Sequence, residues 1–243
     1  MKTFRNTLTA LAAMASVAVA APAFADAILL DSSDIGQSFN VSYNGFASGT
    51  PINGLTSQAS FKLTNITSTG YVFDYSVANT SSSGVNSRVS SFAFNVDPTI
   101  SGASSTGTFG NTVLNSNYPN GIGTVDVCFK GGGSNACGGN SGGVLTGDTG
   151  SGTFTLSFAS APTSINLSDF FVRYQSISGA GAVTSASGAG TVTSTSTSSS
   201  SGGTPVPEPG MILLFGLALV GLGLARSRVR PFSTRPRGSL VAG

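Results

Sequence analysis

The 243-residue chain contains no histidine and no tryptophan, and only 8 % of its residues are charged. Histidine is the side chain most often used for proton transfer near neutral pH, and it is the commonest metal ligand. Its absence excludes Ser-His-Asp and Cys-His nucleophile systems, as well as zinc sites built on histidine. Disordered chains combine low hydrophobicity with high net charge, whereas this chain has 40 % hydrophobic residues and little charge. The composition therefore favours an ordered β protein that is rich in turns.

The formal net charge of +2 hides an uneven distribution of charged residues. Seven of the eleven basic residues lie near the two ends of the sequence. Residues 26–200 contain four basic residues and eight Asp, which gives a charge of about −4 (4 − 8). This slightly acidic middle part lacks the basic patch that nucleic-acid binding requires, so we predict no nucleic-acid partner.

The first 25 residues have the three parts of a secretory signal peptide. Lys2 and Arg5 form a short positive region, and residues 8–19 form an Ala-rich apolar stretch. Small residues follow at Ala23 and Ala25, the two positions that signal peptidase recognises, so we predict cleavage after Ala25. The mature chain then lies outside the cytoplasm, where disulfides form.

The middle of the chain, residues 26–181, shows the period-two alternation of half-buried strands. Turn dipeptides separate the alternating segments, and no convincing helical periodicity occurs there. We predict seven or eight short strands in a single antiparallel β-sandwich, jelly-roll-like, with the Phe residues as the bulk of its core. The alternating segments are 39–43, 59–66, 71–77, 89–96, 125–129, 153–158 and 170–174. The turn dipeptides are Asn44-Gly45, Asn53-Gly54, Asp97-Pro98 and Asn120-Gly121.

A low-complexity segment of Ser, Thr, Gly and Ala, residues 182–203, follows the predicted domain. It contains too little apolar surface to offset the entropy of ordering it. We therefore predict that residues 182–203 form a flexible linker.

An apolar segment, residues 211–225, follows the linker and a Pro-rich stretch. Its fifteen residues would span about 22 Å as a helix, against a hydrocarbon core of roughly 30 Å. Arg226, Arg228 and Arg230 come next, where the positive-inside rule places a cytoplasmic flank. Snorkelling arginines and local thinning of the bilayer accommodate the short segment. We predict a transmembrane helix with the β domain outside the membrane.

The C-terminal order of motifs, Val206-Pro207-Glu208-Pro209, then the apolar segment, then the arginines, resembles the PEP-CTERM sorting domain of Gram-negative bacteria. In proteins of that kind an exosortase, a membrane-embedded sorting enzyme similar to cysteine proteases, recognises the signal. The tail is removed and the protein is delivered to the cell surface or extracellular matrix. The resemblance implies a sorting signal over residues 204–230, transient membrane anchoring and association with exopolysaccharide or biofilm. The basic tail of residues 231–243 continues beyond the family pattern.

Several segments of the β domain also resemble PEP-CTERM surface proteins, specifically the cistern group. These segments are 73–80, 92–98, 127–129 and 170–176. The resemblance implies no established activity.

Cys128 and Cys137 are the only two cysteines, and a Gly-rich stretch lies between them. In an exported chain this pattern predicts a local disulfide. Closing so small a loop stabilises the fold by roughly 2.5–3 kcal/mol in the chain-entropy model. A metal site needs further ligands that the chain lacks, and redox-active pairs are normally spaced more closely. We predict no metal site and no cofactor.

Enzymatic chemistry has little support in the sequence, and we predict no catalytic residue. Asp148-Thr149-Gly150-Ser151 is similar to the active-site motif of aspartic peptidases, but those enzymes need two such motifs. A glycosidase needs a pair of carboxylates, and the only Glu is Glu208 in the sorting motif. A secreted hydrolase that uses two Asp remains as an alternative.

A surface-displayed carbohydrate-binding module is the second alternative. Without tryptophan, its stacking platforms would have to be Tyr43, Tyr71, Tyr75, Tyr118 or Tyr174, most of which alternate with core positions. Asp31-Ser32-Ser33-Asp34 and residues 140–148 offer oxygen ligands for calcium, but without EF-hand or nonapeptide spacing. The leading hypothesis is a non-enzymatic surface or matrix protein.

Overall fold

Twelve β-strands dominate the computed structural model, which describes residues 27–82, 84–138 and 141–195. Short 3-10 turns at Ser32–Asp34 and Gly107–Phe109 interrupt them. The strands are β1 (Ile28–Asp31), β2 (Ser38–Ala47), β3 (Thr50–Ile66), β4 (Gly70–Ala78), β5 (Asn86–Asp97), β6 (Gly102–Ser105), β7 (Asn111–Tyr118), β8 (Gly123–Lys130), β9 (Val144–Leu145), β10 (Thr149–Ser157), β11 (Ser164–Ser178) and β12 (Ser185–Thr195).

All described strands belong to one hydrogen-bonded sheet in the order β6-β10-β4-β3-β2-β12-β11-β5-β8-β7, with β1 added on β11 and β9 on β5. Each described pair is antiparallel. The two ends of this path, β6 and β7, contact each other, so the curled sheet is nearly closed and barrel-like. The prediction of an all-β antiparallel domain is confirmed, and the jelly-roll-like sandwich stays a prediction.

Phenylalanine rings fill the interior of the curled sheet. Phe61 of β3 and Phe92 of β5 are not on neighbouring strands, yet their ring centroids are 5.5 Å apart. Phe129 of β8 and Phe154 of β10 meet in the same way at 4.7 Å. Inward residues alternate with outward ones along these strands, so each strand adds large rings to one shared core.

Six of the seven predicted strand segments lie entirely within observed strands, and segment 153–158 extends one residue beyond β10. Five observed strands were not predicted: β1, β6, β7 and β9, which are short or weakly alternating, and β12, which lies in the predicted linker. Asn120-Gly121 forms a turn in which both residues have positive φ (65° and 79°), as predicted. Asp97-Pro98 ends β5, also as predicted.

The turns predicted at Asn44-Gly45 and Asn53-Gly54 are wrong, because these residues lie inside β2 and β3. The hairpin turns instead at Ser48-Gly49, where φ is 49° and 77°. Gly45 is needed for space, since a Cβ built there would lie 2.4 Å from Cδ2 of Leu55. Close packing against Leu55 thus requires a glycine at position 45, and the resulting Asn-Gly dipeptide looks like a turn signal.

The predicted linker, residues 182–203, is also wrong over the part that the structure describes. Ser185–Thr195 forms β12, which pairs with β11 on one side and β2 on the other. A Cβ at Gly190 would lie 2.6 Å from Cγ1 of Val41, and one at Gly188 would lie 2.7 Å from Cγ2 of Val172. Apolar side chains of the neighbouring strands fill the space beside these glycines. β12 therefore needs small residues at these positions rather than large apolar ones.

The remaining predicted segments lie outside the described residues. They are the signal peptide with Ala23 and Ala25, the end of the linker, the sorting signal with its apolar segment and arginines, and the tail 231–243. Across residues 27–82, 84–138 and 141–195, no helix is long and apolar enough to cross a membrane.

Candidate functional site

A second apolar cluster lies on the outer face of the sheet, apart from the Phe core. We call it the outer cluster: Ala93, Tyr118, Val125, Cys128, Cys137 and Phe171. Strand pairing places Phe171 beside Ala93, and Ala93 beside Cys128, in one row across β11, β5 and β8. The sequence contains a signal for this cluster in its consecutive apolar triplets, since a strand that buries both faces loses its alternation. The triplets are 92–94, 127–129 and 170–172.

Cys128 and Cys137 meet within this outer cluster, both fully buried. No disulfide joins them in the structure. The interaction with the neighbouring Cys128 thiol lowers the pKa of Cys137, while burial raises the pKa of Cys128. The residues paired in the sequence analysis are therefore neighbours in the fold, and the disulfide between them stays a prediction.

Lys130 ties the loop after β8 down beside the cysteines. Its side chain is 0 % exposed, and Nζ donates to the carbonyl oxygen and Oγ of Ser134 and to the carbonyl oxygen of Ala136 at 2.9 Å. Ser91 Oγ donates to the carbonyl oxygen of Cys137 at 3.1 Å. The loop oxygens thus satisfy a buried ammonium group, which would otherwise be costly to remove from water. The Gly-rich stretch serves as a cover for the outer cluster.

A groove of about 450 Å³ adjoins the outer cluster, between two hairpin tips. The β2–β3 tip forms one wall and the β7–β8 turn forms the other. Mainly apolar and glycine residues line it, and none of them is charged. We call this the hairpin groove: Asn44, Gly45, Phe46, Gly49, Pro51, Asn120, Gly121, Ile122, Phe171 and Ala189. Asn44 and Asn120 were predicted only as turn residues, and the groove was not predicted.

Arg173 holds the Asn120 wall of the hairpin groove in place. With the amide turned toward its donors, Asn120 Oδ1 accepts from Arg173 Nη1 at 2.9 Å and from the backbone nitrogen of Ser187 at 2.8 Å. Arg173 is only 8 % exposed, and burial lowers the pKa of its guanidinium. Arg173 Nε is buried without a hydrogen-bond partner. The guanidinium therefore acts from behind the groove wall and positions Asn120.

The tyrosines considered as sugar-stacking platforms are all buried, four of them in the Phe core and Tyr118 in the outer cluster. All five are at most 3 % exposed, so none presents its ring to a ligand, and that alternative use is wrong. Tyr71 donates its hydroxyl hydrogen to the carbonyl oxygen of Pro162 at 2.9 Å, and Tyr75 donates to that of Thr106 at 2.7 Å. The rings are therefore part of the packed interior, and the hydroxyls of Tyr71 and Tyr75 bind loop carbonyls.

The loop considered for calcium uses its carboxylates locally. Asp31 Oδ1 accepts from the backbone nitrogen of Ser33 at 2.7 Å and from Ser33 Oγ at 2.6 Å, while Asp34 Oδ2 accepts from the Asp31 nitrogen at 2.9 Å. The Ser33 hydroxyl and amide lower the pKa of Asp31. This is a capping box on the 3-10 turn. In the part of the chain that the structure describes, no group of three or more Cys, Asp or Glu side chains is placed to hold a metal ion.

The peptidase-like motif lies at the start of β10. Asp148 occupies the turn after β9, where its backbone nitrogen donates to the Leu145 carbonyl oxygen at 2.9 Å. Thr149 and Gly150 pair with β4, opposite Ala78 and Val77. The motif is therefore a turn followed by a strand in the sheet.

Comparison with known protein families gives a match at the C-terminal end. Residues 205–228 match the model of the PEP-CTERM protein-sorting motif. The chain carries a PEP-CTERM sorting motif. It contains the predicted Val206-Pro207-Glu208-Pro209, Arg226 and Arg228, whereas Arg230 lies beyond the match. The motif indicates export, sorting to the cell surface and processing by an exosortase.

No curated protein and no solved structure matches the chain significantly. The PEP-CTERM match does not extend into the β domain, so the resemblance of that domain to the cistern group stays a prediction.

Proposed function

We propose that the protein is a non-enzymatic component of the cell surface or extracellular matrix that associates with exopolysaccharide. The observation that carries this proposal is the PEP-CTERM motif at residues 205–228, which follows an exported all-β domain. In this proposal signal peptidase cleaves after Ala25. The segment 211–225 then anchors the chain in the membrane, with its arginines on the cytoplasmic side, until the exosortase removes the tail.

The placement of the carboxylates supports a role without catalysis. Asp126 Oδ2 accepts from the backbone nitrogen of Val96 at 2.8 Å, and Asp169 Oδ2 accepts from Asn95 Nδ2 at 3.0 Å. These groups, like those of Asp31 and Asp34, satisfy local donors of the fold. At least one oxygen of each of these carboxylates is thus used by the fold, and no carboxylate lines the hairpin groove.

A surface-displayed carbohydrate-binding module is the second candidate function. The hairpin groove favours it, because uncharged apolar and amide groups line a space of about 450 Å³. Small-molecule sites are typically concave, largely apolar and supplied with a few positioned polar groups.

Gene deletion combined with a binding assay tests the proposal. Deleting the gene should change biofilm mass or surface properties while growth on defined carbon sources stays unchanged. The purified exported protein should be retained on the organism's own exopolysaccharide, with an unrelated exported β protein as control. Loss of growth with an unchanged surface, or no retention on the polysaccharide, would contradict the proposal.

A further inference from the structure

We infer that the hairpin groove binds one or two neutral sugar units of a polysaccharide chain. This inference rests on the proposed association with exopolysaccharide and assigns a specific site to it. The residues that carry it are Phe46 and Asn44 on the β2–β3 tip and Asn120 on the β7–β8 turn.

The apolar part of the groove fits the face of a sugar ring. Phe46 is half-buried at one wall, Pro51 is exposed beside it, and Ile122 faces them from the other hairpin, while Phe171 forms the floor. One face of a pyranose presents C–H groups, and such faces pack on aromatic and apolar side chains as other apolar groups do. The volume of about 450 Å³ lies in the range of small-molecule sites.

The polar part of the groove fits the hydroxyl groups around such a ring. Asn44 is exposed on one wall and Asn120 lies on the other. A side-chain amide both donates and accepts hydrogen bonds, as a sugar hydroxyl does. Arg173 and Ser187 fix the Asn120 amide through its oxygen, so little side-chain entropy is lost when a ligand binds.

Charge and hydrogen-bond complementarity select a neutral sugar over other occupants. No charged residue lines the groove, so an anionic or cationic ligand finds no partner there. An acyl chain or an apolar peptide side chain would cover the amides of Asn44 and Asn120 without replacing their bonds to water. Each such loss costs about 1–3 kcal/mol. A neutral sugar covers the apolar wall and satisfies the amides at the same time.

Titration calorimetry on the purified exported protein tests the inference. The probes are the organism's purified exopolysaccharide and four neutral hexasaccharides: cellohexaose, laminarihexaose, maltohexaose and mannohexaose. Phe46→Ala should weaken binding about tenfold, as expected from the loss of one aromatic contact. Asn44→Ala should weaken it about three- to tenfold, which corresponds to one hydrogen bond. Leu145→Ala removes an exposed leucine outside the groove and should leave binding unchanged.

Thermal unfolding of each variant separates loss of the site from loss of the fold. Asn44 is exposed, so Asn44→Ala tests the site even where Phe46→Ala unfolds. Equal affinity of wild type and Asn44→Ala for every bound sugar would overturn the inference. Palmitate that displaces the sugar equally well from wild type and from Asn44→Ala would also overturn it. If Phe46→Ala and Asn44→Ala are both retained on exopolysaccharide as well as wild type, the groove is not the binding site. The proposed function would still hold in that case. Failure of the wild-type protein to bind any of these probes would contradict both.

Discussion

The hydroxyl of Tyr174 lies 2.8 Å from Oγ of Ser57, a contact between buried residues 117 positions apart in the chain. Tyr43, in the same core, has a hydroxyl with no hydrogen-bond partner. Burial raises the pKa of both tyrosines, so both stay protonated at ordinary pH. Two chemically identical groups therefore differ only in whether the core satisfies them.

This difference predicts opposite effects of the same substitution. Tyr43→Phe should increase the free energy of unfolding by about 1 kcal/mol, because it removes a buried and unsatisfied hydroxyl. Tyr174→Phe should decrease it by about 1–2 kcal/mol, because Ser57 loses its partner. Urea unfolding of the exported protein measures both. Equal destabilisation by the two variants would contradict the prediction.

Strand β12 should tolerate no added bulk on its inner face. A Cβ at Gly190 would lie 2.6 Å from Val41 and 2.8 Å from Phe170, so Gly190→Ala should destabilise the domain by about 1–3 kcal/mol. Thr193→Ala, at an exposed position of the same strand, is the matched control and should change stability by less than about 0.5 kcal/mol. A Gly190→Ala variant as stable as wild type would show that β12 is not packed in this way.

The parts of the fold that could be predicted from sequence are those in which a strand carries its own large apolar residues. Segments such as 59–66 and 71–77 alternate clearly because one face of each meets the Phe core. β12 could not be predicted by this argument, because its inner positions include Gly188 and Gly190, and the side chains that fill the space above them belong to other strands. The residues of one segment do not show how large the side chains are that other strands pack against it.

The candidate site was harder to predict than the fold. The two cysteines could be paired from their number and spacing, and the structure places them together. The hairpin groove depends on two tips that lie about seventy residues apart in sequence and become neighbours only through the sheet order. Local patterns in the sequence carry no information on such a meeting.

The exported protein should contain no free thiol. Alkylation under denaturing conditions without reductant should label neither Cys128 nor Cys137, and peptide mapping should recover them in one linked fragment. The Cys128→Ser, Cys137→Ser double variant should lose roughly 2.5–3 kcal/mol of stability. Wild-type protein treated with reductant is the control for labelling. Two labelled cysteines in untreated protein would rule out the disulfide.

The arginines behind the apolar segment should control retention at the membrane. Replacing Arg226, Arg228 and Arg230 together with Ala removes the positive charge that fixes the cytoplasmic flank, so processing or retention should fail. Fractionation of cells, with detection of the β domain, measures the change. Replacing Arg235 and Arg237 with Ala, beyond the matched motif, is the control and should have no effect. Unchanged fractionation of the triple variant would contradict the sorting role of the cluster.

The exported protein should show no hydrolytic turnover. Glycoside hydrolysis would need two carboxylates about 5–10 Å apart on either side of a substrate. Asp31, Asp34, Asp126 and Asp169 accept hydrogen bonds within the fold, and none of the residues that line the hairpin groove is a carboxylate. Assays on neutral polysaccharide, ester and peptide substrates should therefore give rates equal to buffer.

Substitution of single carboxylates makes this last prediction decisive. Asp148→Asn tests the peptidase-like motif, and Asp126→Asn tests a carboxylate that binds the Val96 nitrogen. Asp148→Asn should leave both stability and sugar binding unchanged, whereas Asp126→Asn should reduce stability by about 1 kcal/mol because it weakens a charge-assisted hydrogen bond. Turnover in wild type that Asp148→Asn or another single Asp→Asn variant abolishes would favour the secreted hydrolase instead. Turnover that persists in both variants would also contradict the prediction, and it would assign the reaction to residues other than Asp126 and Asp148.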